Sequence, residues 1–105
     1  MSVPASAWRW DGHPGHLIVS YNCHFWLNTR IGNYRVSTIG DYQPDEKGVN
    51  KEIGVRRTHE TYVFETDDDG EVSVYNEIDS NVYNDCDAAA AGHMEMCRKY
   101  ARIAA

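Results

Sequence analysis

The chain has 105 residues, 42% of them hydrophobic and 25% charged, with twelve aromatics, a composition that sets it apart from disordered chains and suits one domain around one core. Its net charge of −6 is unevenly spread: eleven acids and no Lys or Arg stand between Thr58 and Cys97, seven basic residues precede that segment, and Arg98, Lys99 and Arg102 follow it. Phosphate contacts need a basic surface, so the asymmetry argues against direct nucleic-acid binding through this half and permits docking on a basic partner.

The first sixteen residues mix Trp8, Trp10 and the turn pair Pro14-Gly15 without periodicity, and read as an extended lead-in tied down by its tryptophans. Residues 17–21 form a short apolar run that reads as a strand. From 24 to 42 two alternating runs flank Gly32-Asn33, a pair suited to a tight primed hairpin turn. With those two as the loop, Ile31 pairs with Tyr34, Thr29 with Val36, Leu27 with Thr38, Trp26 with Ile39, Phe25 with Gly40 and His24 with Asp41. One face then collects Cys23, Phe25, Leu27, Thr29, Ile31, Tyr34, Val36 and Thr38, and is the expected buried side. The other collects His24, Trp26, Asn28, Arg30, Arg35, Ser37, Ile39 and Asp41, and reads as exposed or facing a partner.

Residues 43–52, with Pro44 and Gly48, read as a loop, and 53–57 as the start of the next strand. A second hairpin is expected from 61–66 and 71–77 around Asp67-Asp68-Asp69-Gly70, setting Val63 against Val74 and Tyr62 against Tyr75. From Asp85 or Asp87 onward the spacing becomes helical. Asn84 or Asp85 can cap the first turn, Asp87 suits the positive end of the dipole, and Arg98, Lys99 and Arg102 suit the last turns. Cys86, Ala90, His93, Cys97, Tyr100 and Ala101 recur at spacings of three and four and define the packing face. Gly92 costs about 1 kcal/mol relative to Ala, which close approach to another element can offset. The expected fold is α+β: one domain over 1–105, an antiparallel sheet of about four to five strands in two hairpins, and one C-terminal helix packed on a face. An uncovered edge strand would allow a homodimer.

The opening MSVPASAW holds no long apolar run or basic leader, and no later segment has the length to cross a bilayer, so neither export nor a membrane partner is expected. Cys23, Cys86 and Cys97 are odd in number and follow no framework spacing, which suits free thiols and a cytoplasmic location. Zinc sites announce themselves by paired Cys or His at short spacings. Cys23 and His24 are adjacent, so a strand points them to opposite faces. His93 and Cys97 share a helix face, but one on which cysteine behaves as a small hydrophobe. The acidic turn departs from the calcium-loop spacing, with its glycine too early. No metal and no cofactor is therefore expected.

His24 opposite Asp41 is the most tempting catalytic constellation, an acid orienting a histidine with Ser37 on the same face, and His59 with Glu60 has less support; no nucleophile completes either, and no enzymatic activity is expected. Trp26, His24, Arg30 and Arg35 carry residue types enriched at interaction hot spots, and Arg30 faces Arg35 across the strands, which calls for an acid between them. That acid is supplied either by a partner or by the protein itself. Asp67, Asp68 and Asp69 complete the expected binding residues as an acidic tip.

The stretch 23–42 resembles a segment of short uncharacterised proteins of tailed phages and prophages, through Cys23, Phe25, Leu27, Thr29, Gly32, Tyr34, Val36, Ser37, Thr38, Gly40, Asp41 and Tyr42, with Trp8, Trp10 and the pair Gly15-His16 before them. The run from His59 to Phe64 is similar to a Y-E-T-x-V-F motif of the same proteins, His59 being a departure at its first position. The resemblance implies phage origin and no reaction. With small size and the acidic segment, it leads to the expectation of a non-enzymatic phage accessory protein that binds a host protein, an inhibitor of host defence of the anti-CRISPR kind directed at a basic nucleic-acid-binding surface. The alternatives are a small enzyme centred on His24 and Asp41, or a virion or assembly component.

Overall fold

The computed structural model describes residues 2–15, 23–42, 57–69, 71–72 and 76–104. Gly32, at φ 56°, reverses the chain between two nine-residue strands, β2 (Cys23–Ile31) and β3 (Tyr34–Tyr42). Only glycine adopts that conformation freely, and positive φ at the first turn residue alone belongs to the primed turns that match strand twist. The register is the one the turn dictates, with Ile31 opposite Tyr34, Thr29 opposite Val36 and Phe25 opposite Gly40.

Around this hairpin lies a five-stranded antiparallel sheet in sequence order: β1 (Arg9–Trp10), β2, β3, β4 (His59–Glu65) and β5 (Asp79–Tyr83). Among the described residues one α-helix, α1 (Cys86–Ile103), packs against it, giving the α+β fold. Asp85 caps α1 by accepting a 2.7 Å hydrogen bond from the Ala88 amide. Among the described residues no helix is long and apolar enough to cross a membrane.

The second hairpin differs from expectation. Its tip forms, with the Asp67 amide donating to the Glu71 carbonyl and Thr66 bridging Val72. Beyond it, however, the strand beside β4 is β5, so Val63 faces Asp79 and Tyr62 faces Ser80. β3 holds the other edge of β4, with Val36 opposite Val63 and Ser37 opposite Tyr62. The expected partners Val74 and Tyr75, the strand at 17–21, the loop at 43–52 and residues 53–56 lie outside the described residues.

α1 covers the side of the sheet expected to be buried. Ile31, Val36 and Val63 meet Met96, Cys97, Tyr100 and Ala101, with Val3, Trp8 and Tyr34 packed on the margin. The helix face is rotated slightly from expectation: Ala89 and Met96 are buried, and Cys86 is exposed. His93 is wholly buried, its Nε2 2.8 Å from Thr29 Oγ1 and its Nδ1 2.7 Å from Thr38 Oγ1, which also contacts Thr61. Desolvation pushes this imidazole down to about 4. A Cβ on Gly92 would overlap the Tyr83 phenol of β5, so here close approach does account for a mid-helix glycine.

The opposite side is not the open face expected. Asn28, Arg35, Ser37 and Ile39 are buried. Residues 11–15 run across part of it: the Asp11 amide donates to the Asn28 carbonyl, Asn28 Nδ2 donates to the His13 carbonyl, and buried Gly15 lies against Asn28 and Ser37. Arg35, paired across from Arg30, meets an acid of the protein's own in Asp11, whose carboxylate accepts from Arg35 at 2.7 Å.

Candidate functional site

The strands and α1 bring three chemically capable side chains together at the N-terminal end of the helix. Asp41, near the end of β3, has φ 53°, a left-handed conformation that Asp tolerates better than most residues. Its carboxylate thereby reaches the helix side. His59 opens β4 opposite Gly40, and a Cβ at position 40 would overlap its ring, so the absent side chain makes the imidazole's room. Phe25 flanks the ring edge-on at 5.2 Å, and Thr58 Oγ1 lies 2.8 Å from Nδ1, which directs Nε2 toward the other two groups. Cys86 is the first residue of α1, one position after its cap.

Cys86 Sγ lies 3.3 Å from His59 Nε2 and 3.4 Å from Asp41 Oδ2, and Asp41 Oδ1 lies 3.8 Å from His59 Nε2. His59 is buried and Asp41 half-buried, while Cys86 is the exposed member and the entry to the cluster. The triad of thiol, imidazole and carboxylate has the parts of a cysteine nucleophile. Its electrostatics run the other way. Burial, the hydrogen bond to Asp41 and the charges of Asp41, Asp87 and Asp85 all raise the Cys86 thiol above its ordinary value, whereas a nucleophilic cysteine needs the thiolate favoured. The other two thiols are buried in the core, which pushes Cys23 up to about 11 and Cys97 up to about 12.

The residues singled out from the sequence are dispersed. Trp26 is 40% exposed and His24 is exposed, both on the rim of the outer side. Arg35 is corrected from contact residue to buried ion-pair partner. Arg30 is half-buried and reaches the Asp69 carbonyl at 3.4 Å, so the first hairpin and the acidic tip meet. Asp68 and Asp69 are exposed, and so is Asp67, although one of its carboxylate oxygens accepts from the Asp69 and Glu71 amides, 2.9 Å each, and shapes the turn. Asp41 is drawn to His59 and Cys86, and Ser37 is buried against Gly15, so neither stands beside His24 on an open face. A groove of about 480 Å³ between β5 and α1, lined in part by Asp79, Asn81, Glu95, Lys99 and Arg102, shares no residue with either location.

No family model, curated protein or solved structure matches this chain. Geometry and chemistry alone therefore decide how these sites are read.

Proposed function

We propose that this protein is a small, non-enzymatic binding module, a phage accessory protein that docks on a basic surface of a host protein in the manner of a defence inhibitor. The observation that carries the reading is the disposition of the acids. Of the eleven between Thr58 and Cys97, Glu60 is buried and Asp79 is engaged with Lys99 at 2.6 Å, while the other nine are exposed. Exposed like charges without counter-charges repel one another in the free protein, and a basic partner relieves that repulsion. Trp26 supplies what charge lacks, a large apolar group beside His24 that gains by desolvation.

The test is capture of host protein by the intact chain at low and at raised salt, against two variants. Asp68→Lys with Asp69→Lys should weaken capture and flatten its salt dependence, because screening acts on exposed charge. Trp26→Ala should weaken capture while changing stability by no more than about 0.5 kcal/mol. Capture indifferent to both variants and to salt, or unchanged phage fitness on deleting the gene in a defence-positive host, would sink the reading.

A further inference from the structure

We propose that Asp41, His59 and Cys86 form a three-ligand site for a borderline divalent cation of the zinc type. The proposal is independent of the partner-binding surface.

Donor geometry is the first argument. Zinc bonds run about 2.3 Å to sulfur and about 2.0–2.2 Å to nitrogen and oxygen, so a tetrahedral centre sets its donors roughly 3.3–3.6 Å apart. The sulfur to nitrogen and sulfur to oxygen separations here are 3.3 and 3.4 Å, and the nitrogen to oxygen separation, through the other carboxylate oxygen, is 3.8 Å. All donor atoms lie within 4.8 Å of one another. The Asp41 carboxylate must turn so that one of its oxygens faces both other donors.

The second argument is orientation. A ligating histidine commonly gives its other ring N–H to an oxygen that fixes the tautomer. The Thr58 hydroxyl stands 2.8 Å from His59 Nδ1 in that role, and Gly40 and Phe25 fix the ring plane. Asp41 is held by a backbone conformation that the rest of β3 does not share. Each of the three ligands thus comes from a different element and is positioned by something other than its neighbours in the triad.

Donor set is the third. Thiolate, imidazole and carboxylate suit zinc and its spectroscopic stand-in cobalt, and disfavour magnesium and calcium, which take oxygen ligands. On binding, the Cys86 thiol gives its proton to the solvent and its sulfur to the metal, and the cation offsets the acids that otherwise oppose the thiolate. Water completes the fourth position at the exposed side.

The experiment is equilibrium dialysis of the full chain, its affinity tag removed, against Zn²⁺, with Co²⁺ absorption spectroscopy in parallel. One equivalent per chain and a sulfur-to-cobalt charge-transfer band are expected. Cys86→Ser, at an exposed position, should abolish the band and lower zinc affinity at least about tenfold, with circular dichroism and melting unchanged in the absence of metal. Asp41→Asn, which keeps the left-handed preference, should weaken binding without unfolding, and Cys23→Ser should leave it intact. Binding that is substoichiometric, or a band that survives Cys86→Ser, would overturn the assignment.

Discussion

The two sides of the sheet bury polar groups by different means. Under α1, His93 is enclosed with Thr29, Thr38 and Thr61, an uncharged set in which each hydroxyl can donate or accept. Under residues 11–15, Arg35 is enclosed with Asn28 and Asp11, where the guanidinium only donates and its counter-charge arrives on a short strap whose Asp11 side chain is 33% exposed. An 18-residue helix that contributes much of the core cannot leave without global unfolding, whereas a five-residue strap held mainly by polar contacts can. One side is therefore tied to global stability and the other to local order.

Protonating His93 should break that contrast most severely. Its folded value, about 4, lies below its ordinary 6.5, so the unfolded chain binds the proton first as pH falls. Its contribution is fully present above pH 6.5, declines through the window from 6.5 to 4, and reaches a loss on the order of 3 kcal/mol. Urea denaturation at steps across that window should show the decline, and His93→Gln should flatten it. An unchanged slope in the variant would mean that other groups set the acid limb.

On the other side, Asp11→Ala should cost about 2 kcal/mol of the strap's local opening free energy, read by amide exchange at residue 11. Removing one partner of a buried pair costs about 3–5 kcal/mol, and the solvent exposure of Asp11 and the retained Asn28 contact reduce it. A loss below about 0.5 kcal/mol, the range of screened surface pairs, would make the strap a passenger rather than the neutraliser of Arg35.

How far the sequence foretold these arrangements depends on whether the cause is local. The first hairpin was legible because Gly32-Asn33 alone fixes the register, and a period of two then sorts every side chain by face. What lay over the outer face was not, since the lead-in has no periodicity and its placement depends on the Asn28 and Arg35 contacts. β5 was missed because its sequence, DSNVY, has no alternation; it is placed by Lys99 and Tyr100 on Asp79 and by Tyr83 against Gly92. The Asp41, His59 and Cys86 cluster was invisible for a related reason. Its members come from a strand end, a strand start and a helix start, up to 45 positions apart, and only Gly40 and the left-handed Asp41 bring them into register.

A matched pair of glycines sharpens the comparison with the smallest expected effects. At Gly92 an alanine gains about 1 kcal/mol of helix propensity, but its methyl meets the Tyr83 ring, a rigid group on a strand. Overpacking of about 1–3 kcal/mol should win, lowering the global melting transition. At Gly15 an alanine methyl would lie 2.7 Å from Asn28 Oδ1 and Ser37 Oγ, so something must yield there too. The strap can lift away, and the cost should fall on the hydrogen bond between the Asp11 amide and the Asn28 carbonyl rather than on the whole fold. Amide exchange should therefore accelerate at Asp11 in Gly15→Ala, with global stability within about 0.5 kcal/mol of the parent, whereas Gly92→Ala should accelerate exchange across β2, β3 and β4 together. If Gly15→Ala lowers the global transition more than Gly92→Ala does, residues 11–15 belong to the same cooperative unit as the helix, and the division between the two sides of the sheet is lost.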